Sequence, residues 1–253
     1  MIVENETILI IDYGSQYTQL IARKIREQNV YCLVYPYNKI NSKILINKNL
    51  SGIILSGGPN SVKDVKSPKL DKKILLLKIP ILGICYGLQL LCKEFNGKIG
   101  QSSSREYGHS LISHKNKSLL FRGVKKNSQV WMSHGDHISR EPKEFVVTSF
   151  SNKNVISSIE NKKKMIFGLQ FHPEVYHSLD GKQILSNFLF NICNISSKFK
   201  LENFLINKIN ELKNTLKNKK VICGLSGGVD STVTSFLLHK AIKNNLYCIF
   251  VDH

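Results

Sequence analysis

Short apolar runs alternate with amphipathic stretches along the first 95 residues of the chain. The stretch 17–28 places Leu20, Ile21 and Ile25 on one face of a helix, and 88–95 predicts a second helix. Four apolar runs predict buried strands, at 7–11, 30–35, 52–55 and 79–84. Strands that alternate with helices in this way predict an α/β fold, with an open, mostly parallel sheet flanked by helices.

The pattern becomes rich in strand signals between about residue 105 and residue 171. Four short runs there predict strands, at 128–132, 145–149, 155–159 and 165–171. A helical pattern at 180–192 follows them. We therefore expect this helix to close the domain that begins with the first strand.

A polar segment at 194–200 predicts a domain boundary. Beyond it, strand and helix patterns alternate again, with helices at 201–216 and 232–242 and strands at 221–225 and 246–251. Two strands and two helices are too few to bury the faces of a doubly wound sheet. We expect residues 7–196 to form one domain and residues 199–253 to be the N-terminal part of a second, incomplete domain.

Composition indicates a globular protein of the cytoplasm. Hydrophobic residues make up 42% of the chain, Lys78 and Pro80 interrupt its most apolar stretch, and the N-terminus lacks the features of a signal peptide. The net charge of +18 is evenly spread, with +14 on residues 1–198 and +4 on residues 199–253. Because nucleic-acid sites concentrate their positive charge, we expect the protein to bind neither nucleic acid nor membranes.

Six cysteines lie along the chain, and no two of them have Cys-x-x-Cys spacing. We expect five to be buried thiols in a reducing compartment. The sixth, Cys85, lies in the sequence Gly-Ile-Cys-Tyr-Gly at 83–87, between a predicted strand and a predicted helix. This is the pattern of a nucleophile elbow, where the N-terminus of the helix favours a thiolate. Alone, it also fits an ordinary buried cysteine between glycines.

A second polar group ends another apolar strand, at His172-Pro173-Glu174. Residues two apart on an extended chain point to the same side, so Glu174 can hold one imidazole nitrogen while the other faces a nucleophile. Alone, this group also fits a structural strand end. Together with the elbow 87 residues upstream, it predicts a triad in which Cys85 attacks, His172 moves the proton and Glu174 sets the tautomer.

Adjacent glycines follow the predicted strand at 52–55, in the sequence Ser-Gly-Gly-Pro at 56–59. They suit an oxyanion hole, although they also fit a simple turn. A cluster at 134–137, His-Gly-Asp-His, could be imagined as a metal site, but no convincing third and fourth ligand is evident. We favour a glutamine-pocket or interface loop there and leave any metal ligands unassigned.

These motifs resemble the class I glutamine amidotransferase family over residues 7 to about 195. The resemblance also rests on Asp-Tyr-Gly-Ser-Gln-Tyr-Thr-Gln at 12–19, Arg-Glu-Tyr-Gly at 105–108 and Trp-Met-Ser-His-Gly-Asp at 131–136. It implies a glutaminase without a cofactor, which releases ammonia through a γ-glutamyl thioester on Cys85. It also implies that backbone amides of Gly58 and Tyr86 form the oxyanion hole and that Gln89 lines the glutamine pocket.

A second glycine-rich motif lies at 221–232, where a strand, a loop and a helix start follow one another. Such a loop can cradle an anion with its backbone N–H groups. It lacks the Gly-Lys-[Ser/Thr] of the Walker P-loop and resembles the pyrophosphate loop of the ATP pyrophosphatase family. The resemblance assigns ATP binding to Ser226, Gly227, Gly228, Val229, Asp230, Ser231 and Thr232.

The order of the two motifs resembles that of the GMP synthetase family. The resemblance implies conversion of XMP, ATP, glutamine and water to GMP, AMP, pyrophosphate and glutamate, with Mg²⁺ as activator. It also implies a homodimer, with the XMP site and the dimerisation domain beyond residue 253. Two alternatives remain. A stand-alone glutaminase subunit would not need the loop at 221–232, and a non-catalytic regulatory remnant would be expected to lose triad or loop residues.

Overall fold

The computed structural model describes residues 6–47, 49–114, 118–196, 199 and 201–250. The chain forms two compact units, Met1–Phe199 and Lys200–His253. Within the described ranges, no helix has the length and apolar character needed to cross a membrane.

The first half of the first unit alternates strands and helices, as the apolar pattern predicts. The longer helices are amphipathic or buried, and each follows a strand. The elements in chain order are β1 (Thr7–Asp12), α1 (Thr18–Arg26), β2 (Tyr31–Pro36), α2 (Ser42–Leu45), β3 (Leu50–Leu55), α3 (Lys73–Leu76), β4 (Ile81–Ile84) and α4 (Tyr86–Glu94).

The second half of this unit is mostly antiparallel strand. A terminal helix begins as an α-helix and continues as a π-helix over Asn187–Ile192. The elements are β5 (Lys98–His114), β6 (Asn127–Arg140), β7 (Val146–Ser151), β8 (Ile156–Asn161), β9 (Ile166–Leu169) and α5 (Gly181–Ser186).

The described strands of this unit form one nine-stranded sheet in the order β2-β1-β3-β4-β9-β8-β6-β5-β7. The five strands from β2 to β9 are parallel, whereas β8, β6, β5 and β7 pair antiparallel. The sheet is therefore mixed, with its parallel part at one side. The parallel strands end at a common edge, and β4 lies beside β9, with Ile84 opposite Leu169.

Helices cover both faces of the parallel strands, which confirms the α/β prediction. On one face, Ile8 and Ile10 of β1 pack with Ile21 and Ile25 of α1 and with the terminal helix. On the other, alternate β1 residues pack with α4. Because side chains of a strand alternate between faces, a strand buried on both sides reads as a continuous apolar run.

The long strand β5 was not predicted as an element. Its residues 98–108 are rich in glycine and serine, so they carry no apolar alternation, and its register against β6 shifts between Gln101 and Glu106. The strand is defined by its partner β6 and not by its own pattern. Local sequence cannot report such pairing.

The second unit contains α6 (Leu201–Leu216), β10 (Val221–Leu225), α7 (Val229–Ile242) and β11 (Leu246–Phe250). The two strands are parallel and α7 connects them, so they form a βαβ unit. The prediction of buried thiols is wrong for Cys248, which is exposed, and for Cys223, which is half-buried. Strand β10 leaves alternate residues exposed and β11 is exposed from Tyr247 to Phe250, because the described helices do not cover both faces of this small sheet.

Candidate active site

Cys85 lies in the turn between β4 and α4. Its backbone has φ 51° and ψ −104°, which is a strained conformation for a residue with a side chain. Its N–H donates to the carbonyl of Leu169 at 2.7 Å. The turn needs both flanking glycines, since a Cβ on Gly83 would lie 2.6 Å from the backbone of Gly87, and one on Gly87 would lie 2.6 Å from Leu55. The strand-to-helix turn therefore fixes Cys85 at the carboxyl edge of the sheet.

His172 and Glu174 follow the neighbouring strand β9 and are both buried. The Nδ1 atom of His172 lies 2.7 Å from Oε1 of Glu174. A carboxylate only accepts hydrogen bonds, so Nδ1 carries the proton and Nε2 is left for another partner. The backbone of His172 is held by the carbonyl of Trp131, which accepts its N–H at 3.0 Å.

The imidazole of His172 lies beside Cys85. Burial alone would lower the pKa of His172, but the Glu174 carboxylate and hydrogen bonds with Cys85 and Glu174 raise it well above its ordinary value of 6.5. The two side chains flank Gly57, where an added Cβ would lie 3.0 Å from Cε1 of His172 and 3.7 Å from Cβ of Cys85. A cysteine and a histidine in this arrangement can exchange a proton.

A cavity of about 700 Å³ opens over this pair at the carboxyl edge of the parallel strands. Three other residues predicted for the site, Gly58, Tyr86 and Gln89, line it together with Cys85 and His172. Gly58 has no room for a side chain, because a Cβ there would lie 2.8 Å from the carbonyl oxygen of Tyr13. The structure thus brings all six residues predicted for the first unit to one place, with Glu174 behind His172.

The β6 segment 133–136 forms the opposite wall. The Ser133 carbonyl accepts from Sγ of Cys85 at 3.6 Å, and the Asp136 carbonyl accepts from Nε2 of Gln89 at 2.9 Å. The Asp136 carboxylate accepts a hydrogen bond from Ser61 and lies 3.8 Å from Nζ of Lys63. The prediction of a loop at 134–137 is wrong, because these residues lie within strand β6, but His134, Gly135 and Asp136 line the cavity as a pocket segment would.

A buried carboxylate and a buried imidazole support the wall from inside. Glu106 of β5 lies directly opposite His134 of β6, with Oε2 3.4 Å from Nε2. Burial would raise the pKa of Glu106, but His134 and the Ser151 hydroxyl, which donates at 3.1 Å, lower it. The Glu106 side chain is therefore ionised although it is removed from water.

Two further residues at the site were not predicted from the sequence. The ring of Tyr17 meets His172 edge to face, with ring centroids 5.0 Å apart. Gln170 is fully buried and contacts both Cys85 and Gln89. Gln170 precedes His172 by two residues, so the i, i+2 argument that links His172 to Glu174 could have indicated it as well.

Other polar residues have structural partners. Asp12 accepts hydrogen bonds from Gly14 N–H and the Thr18 hydroxyl, as expected of a turn-capping residue. His114 is buried, and its Nε2 contacts the carbonyls of Val124 and Lys125. Among the described residues, no group of three or more His, Cys, Asp or Glu side chains could hold a metal ion.

The glycine loop of the second unit joins β10 to α7. Gly227 has φ +78°, which a side chain would strain, and Gly228 caps α7. The Ser231 hydroxyl accepts from the N–H of Ser226 at 3.3 Å and donates to the carbonyl of Gly228 at 3.1 Å. The exposed loop thus curls around the N-terminus of a 14-residue helix, a position that favours anions.

Comparisons with known proteins agree with both parts of the chain. A family model described as class-I glutamine amidotransferase matches residues 9–192, and one described as NAD synthase matches residues 199–252. Glutamine-hydrolysing GMP synthases from Clostridium kluyveri and Acetivibrio thermocellus are each 47% identical to the chain over 251 residues, which is 99% of the chain and 49% of each relative. The chain therefore spans about half the length of the curated relatives it matches.

Solved structures also resemble the chain. A protein from Thermoplasma acidophilum, described as one subunit of a GMP synthase, is 29% identical with a TM-score of 0.64, over 76% of this chain and 95% of that one. A glutamine amidotransferase from Thermotoga maritima is 19% identical with a TM-score of 0.58, over 96% of this chain and 92% of that one. The second likeness concerns the fold alone.

Proposed function

The chain belongs to the class I glutamine amidotransferase family, and from this premise we propose that its first unit hydrolyses glutamine to glutamate and ammonia at Cys85. The observation that carries the proposal is that the buried His172 lies beside Cys85 at the edge of the cavity, with its Nδ1 2.7 Å from Oε1 of Glu174. A thiol, an imidazole and a carboxylate in that order form a nucleophile, a general base and an orienting group.

In the first half-reaction, His172 takes the proton of the Cys85 thiol, and the resulting thiolate attacks the side-chain amide carbon of glutamine. The carbonyl oxygen becomes an oxyanion, which we assign to the backbone amides of Gly58 and Tyr86. The protonated His172 then gives its Nε2 proton to the amide nitrogen, and the C–N bond breaks to release ammonia. The glutamyl group remains on Sγ as a thioester.

In the second half-reaction, water attacks the thioester. Neutral His172 takes a proton from the water, and the oxyanion again rests on the two backbone amides. Collapse of this intermediate breaks the C–S bond, releases glutamate and returns the thiolate and the imidazolium. Glu174 keeps the proton on Nδ1 throughout, so that the proton transfers occur at Nε2.

The cavity wall favours an amino-acid substrate. Among the described residues that line the cavity, Asp136 is the one with a carboxylate. Its backbone carbonyl accepts a hydrogen bond from Gln89. We assign it to the α-ammonium group of glutamine, because opposite charges attract strongly where water is restricted. Gln89 then lies beside the body of the substrate.

We further propose that the chain serves a glutamine-hydrolysing GMP synthase, in which ammonia aminates XMP activated by ATP. Support comes from 47% identity with GMP synthases over nearly the whole chain, and from the glycine loop at Ser226–Thr232. That loop would hold the phosphates of ATP, with Mg²⁺ as activator, and the complete enzyme would be a cytoplasmic homodimer. A stand-alone glutaminase subunit would leave the loop without a role.

The first test is glutamine hydrolysis by the purified chain, measured as glutamate released. Cys85→Ala should abolish it, whereas Cys248→Ala, which removes an exposed thiol from the second unit, should leave it unchanged. Equal hydrolysis by the Cys85→Ala protein would overturn the assignment of the nucleophile.

A further inference from the structure

Gln170 connects the nucleophile to the glutamine pocket. It follows β9 at Leu169, just as Cys85 follows β4 at Ile84, and the two strands pair at these positions. Its side chain is fully buried. The amide nitrogen Nε2 lies 3.8 Å from Sγ of Cys85, and the amide oxygen Oε1 lies 3.5 Å from Nε2 of Gln89. One amide therefore contacts both residues.

The direction of these contacts is set from the pocket wall. The backbone carbonyl of Asp136 can only accept, so Gln89 must turn its Nε2 toward it, at 2.9 Å. The same nitrogen also faces Gln170, which must therefore present its oxygen. The amide nitrogen of Gln170 is then left to face the sulfur. Because the orientation of an amide is assigned from its partners, this sequence of contacts is what fixes it.

We propose that Gln170 is a positioning residue for glutamine hydrolysis, which holds Sγ of Cys85 by donating an N–H to it and links the sulfur to the pocket wall through Gln89. The inference rests on the proposed glutaminase function. A hydrogen bond is stronger in a buried site than in water, and a donor favours the thiolate over the thiol. Gln170 also opposes rotation of the sulfur away from the substrate carbon, since the buried amide has little freedom to move.

The geometry separates this role from that of a space-filling residue. The backbone of Gln170 is already held, because its N–H donates to the carbonyl of Ser157 at 2.9 Å. Its side chain could therefore be replaced without loss of a backbone contact. Gln170→Leu keeps the approximate volume but has no polar atom, and Gln170→Glu keeps the shape and an acceptor for Gln89 but has no donor when it is ionised. Gln183→Leu is the matched control, on the exposed face of α5.

The variants are compared in kcat and KM for glutamine and in the rate at which iodoacetamide alkylates Cys85. We expect both Gln170 variants to lower kcat and the alkylation rate about tenfold, with KM changed less than about threefold and with no effect of the control. A folded Gln170 variant with kcat and alkylation rate within twofold of the parent would overturn the proposal. The alkylation rate needs no glutamine, so an inactive parent chain would refute the proposed function and leave this comparison intact.

A measurement on the unaltered chain tests the proposal even if the Gln170 variants do not fold. Side-chain amide resonances are recorded by NMR before and after iodoacetamide treatment, which converts the sulfur to a thioether. We expect the Gln170 amide protons to shift, because they lose an anionic acceptor, and the Gln183 amide protons to stay in place. A Gln170 amide that does not respond to modification of Cys85 would contradict the proposal.

Discussion

The Cα atoms of Ile84 and Leu169 are direct partners across two parallel strands, and each is followed by a residue of the active site. Cys85 comes next on one strand and Gln170 on the other, with His172 two residues further along. The sheet therefore brings together residues that are 85 or more positions apart in the chain. Parallel strands end at a common edge, which is where such sites form in α/β proteins.

The Glu174→Gln substitution tests the control of His172. Glu174 raises the pKa of His172, so its loss should move the limb of the kcat profile that follows His172 titration to lower pH and reduce kcat at least about tenfold. The measurement is kcat for glutamine against pH. Glu144→Gln is the control, because it changes an exposed carboxylate that does not line the cavity. An unshifted profile would show that Glu174 does not govern this histidine.

The pairing of His172 with Glu174 also predicts that the free energy of unfolding depends on pH. Because the pKa of His172 is raised in the folded state, its protonation stabilises the fold fully below the unfolded pKa of about 6.5, and this stabilisation is lost as pH rises through the folded pKa. We expect the free energy of unfolding to decline with pH above that value in the parent chain and to decline less in His172→Gln. Urea unfolding at several pH values measures it. Parallel curves for the two proteins would contradict the assignment.

The Gly58→Ala substitution tests the oxyanion hole. The added Cβ would lie 2.8 Å from the carbonyl oxygen of Tyr13, so the backbone at Gly58 must shift. We expect kcat to fall about 100-fold with a smaller change in KM, because the oxyanion forms only in the transition state. Gly224→Ala, where a Cβ meets no atom within 4 Å, should have no effect. Equal losses in both variants would argue against a local role for Gly58.

The buried pair of Glu106 and His134 predicts a loss of stability on substitution. Glu106→Gln removes a charge that faces His134 at 3.4 Å inside the protein, and we expect about 3 kcal/mol less free energy of unfolding. Glu27→Gln breaks an exposed contact with Arg23 and should leave the urea midpoint unchanged. The measurement is urea unfolding at pH 7. An unchanged free energy of unfolding in Glu106→Gln would mean that the wall does not require the charge of Glu106.

The loop of the second unit predicts nucleotide binding. Ser231→Ala removes the hydroxyl that joins Ser226 to Gly228, and we expect the affinity for a fluorescent ATP analogue to fall about tenfold. Ser235→Ala removes a hydroxyl that bonds within α7 and is the control. Titration of the whole chain with the analogue and Mg²⁺ measures both. Unchanged binding in Ser231→Ala would remove the loop from the phosphate site.

Features that depend on local sequence patterns could be predicted from the sequence. The apolar runs indicated β1 to β4, and the glycines around Cys85 indicated a tight turn that the structure contains. The roles of Cys85, His172 and Glu174 stay predictions until their variants are measured. Residues that depend on tertiary contact could not be predicted, because local sequence does not record which strands pair. Strand β5, the buried His114 and the Gln89–Gln170 contact belong to this group.

Trapping of the glutamyl thioester tests the central claim most directly. The chain is mixed with labelled glutamine, quenched in acid within the first turnovers and digested, and the label is located by mass spectrometry. The account predicts a glutamyl group on the peptide that contains Cys85, which hydroxylamine removes and which is absent from Cys85→Ala. Glutamine hydrolysis with no label on that peptide, or with label on another residue, would contradict it.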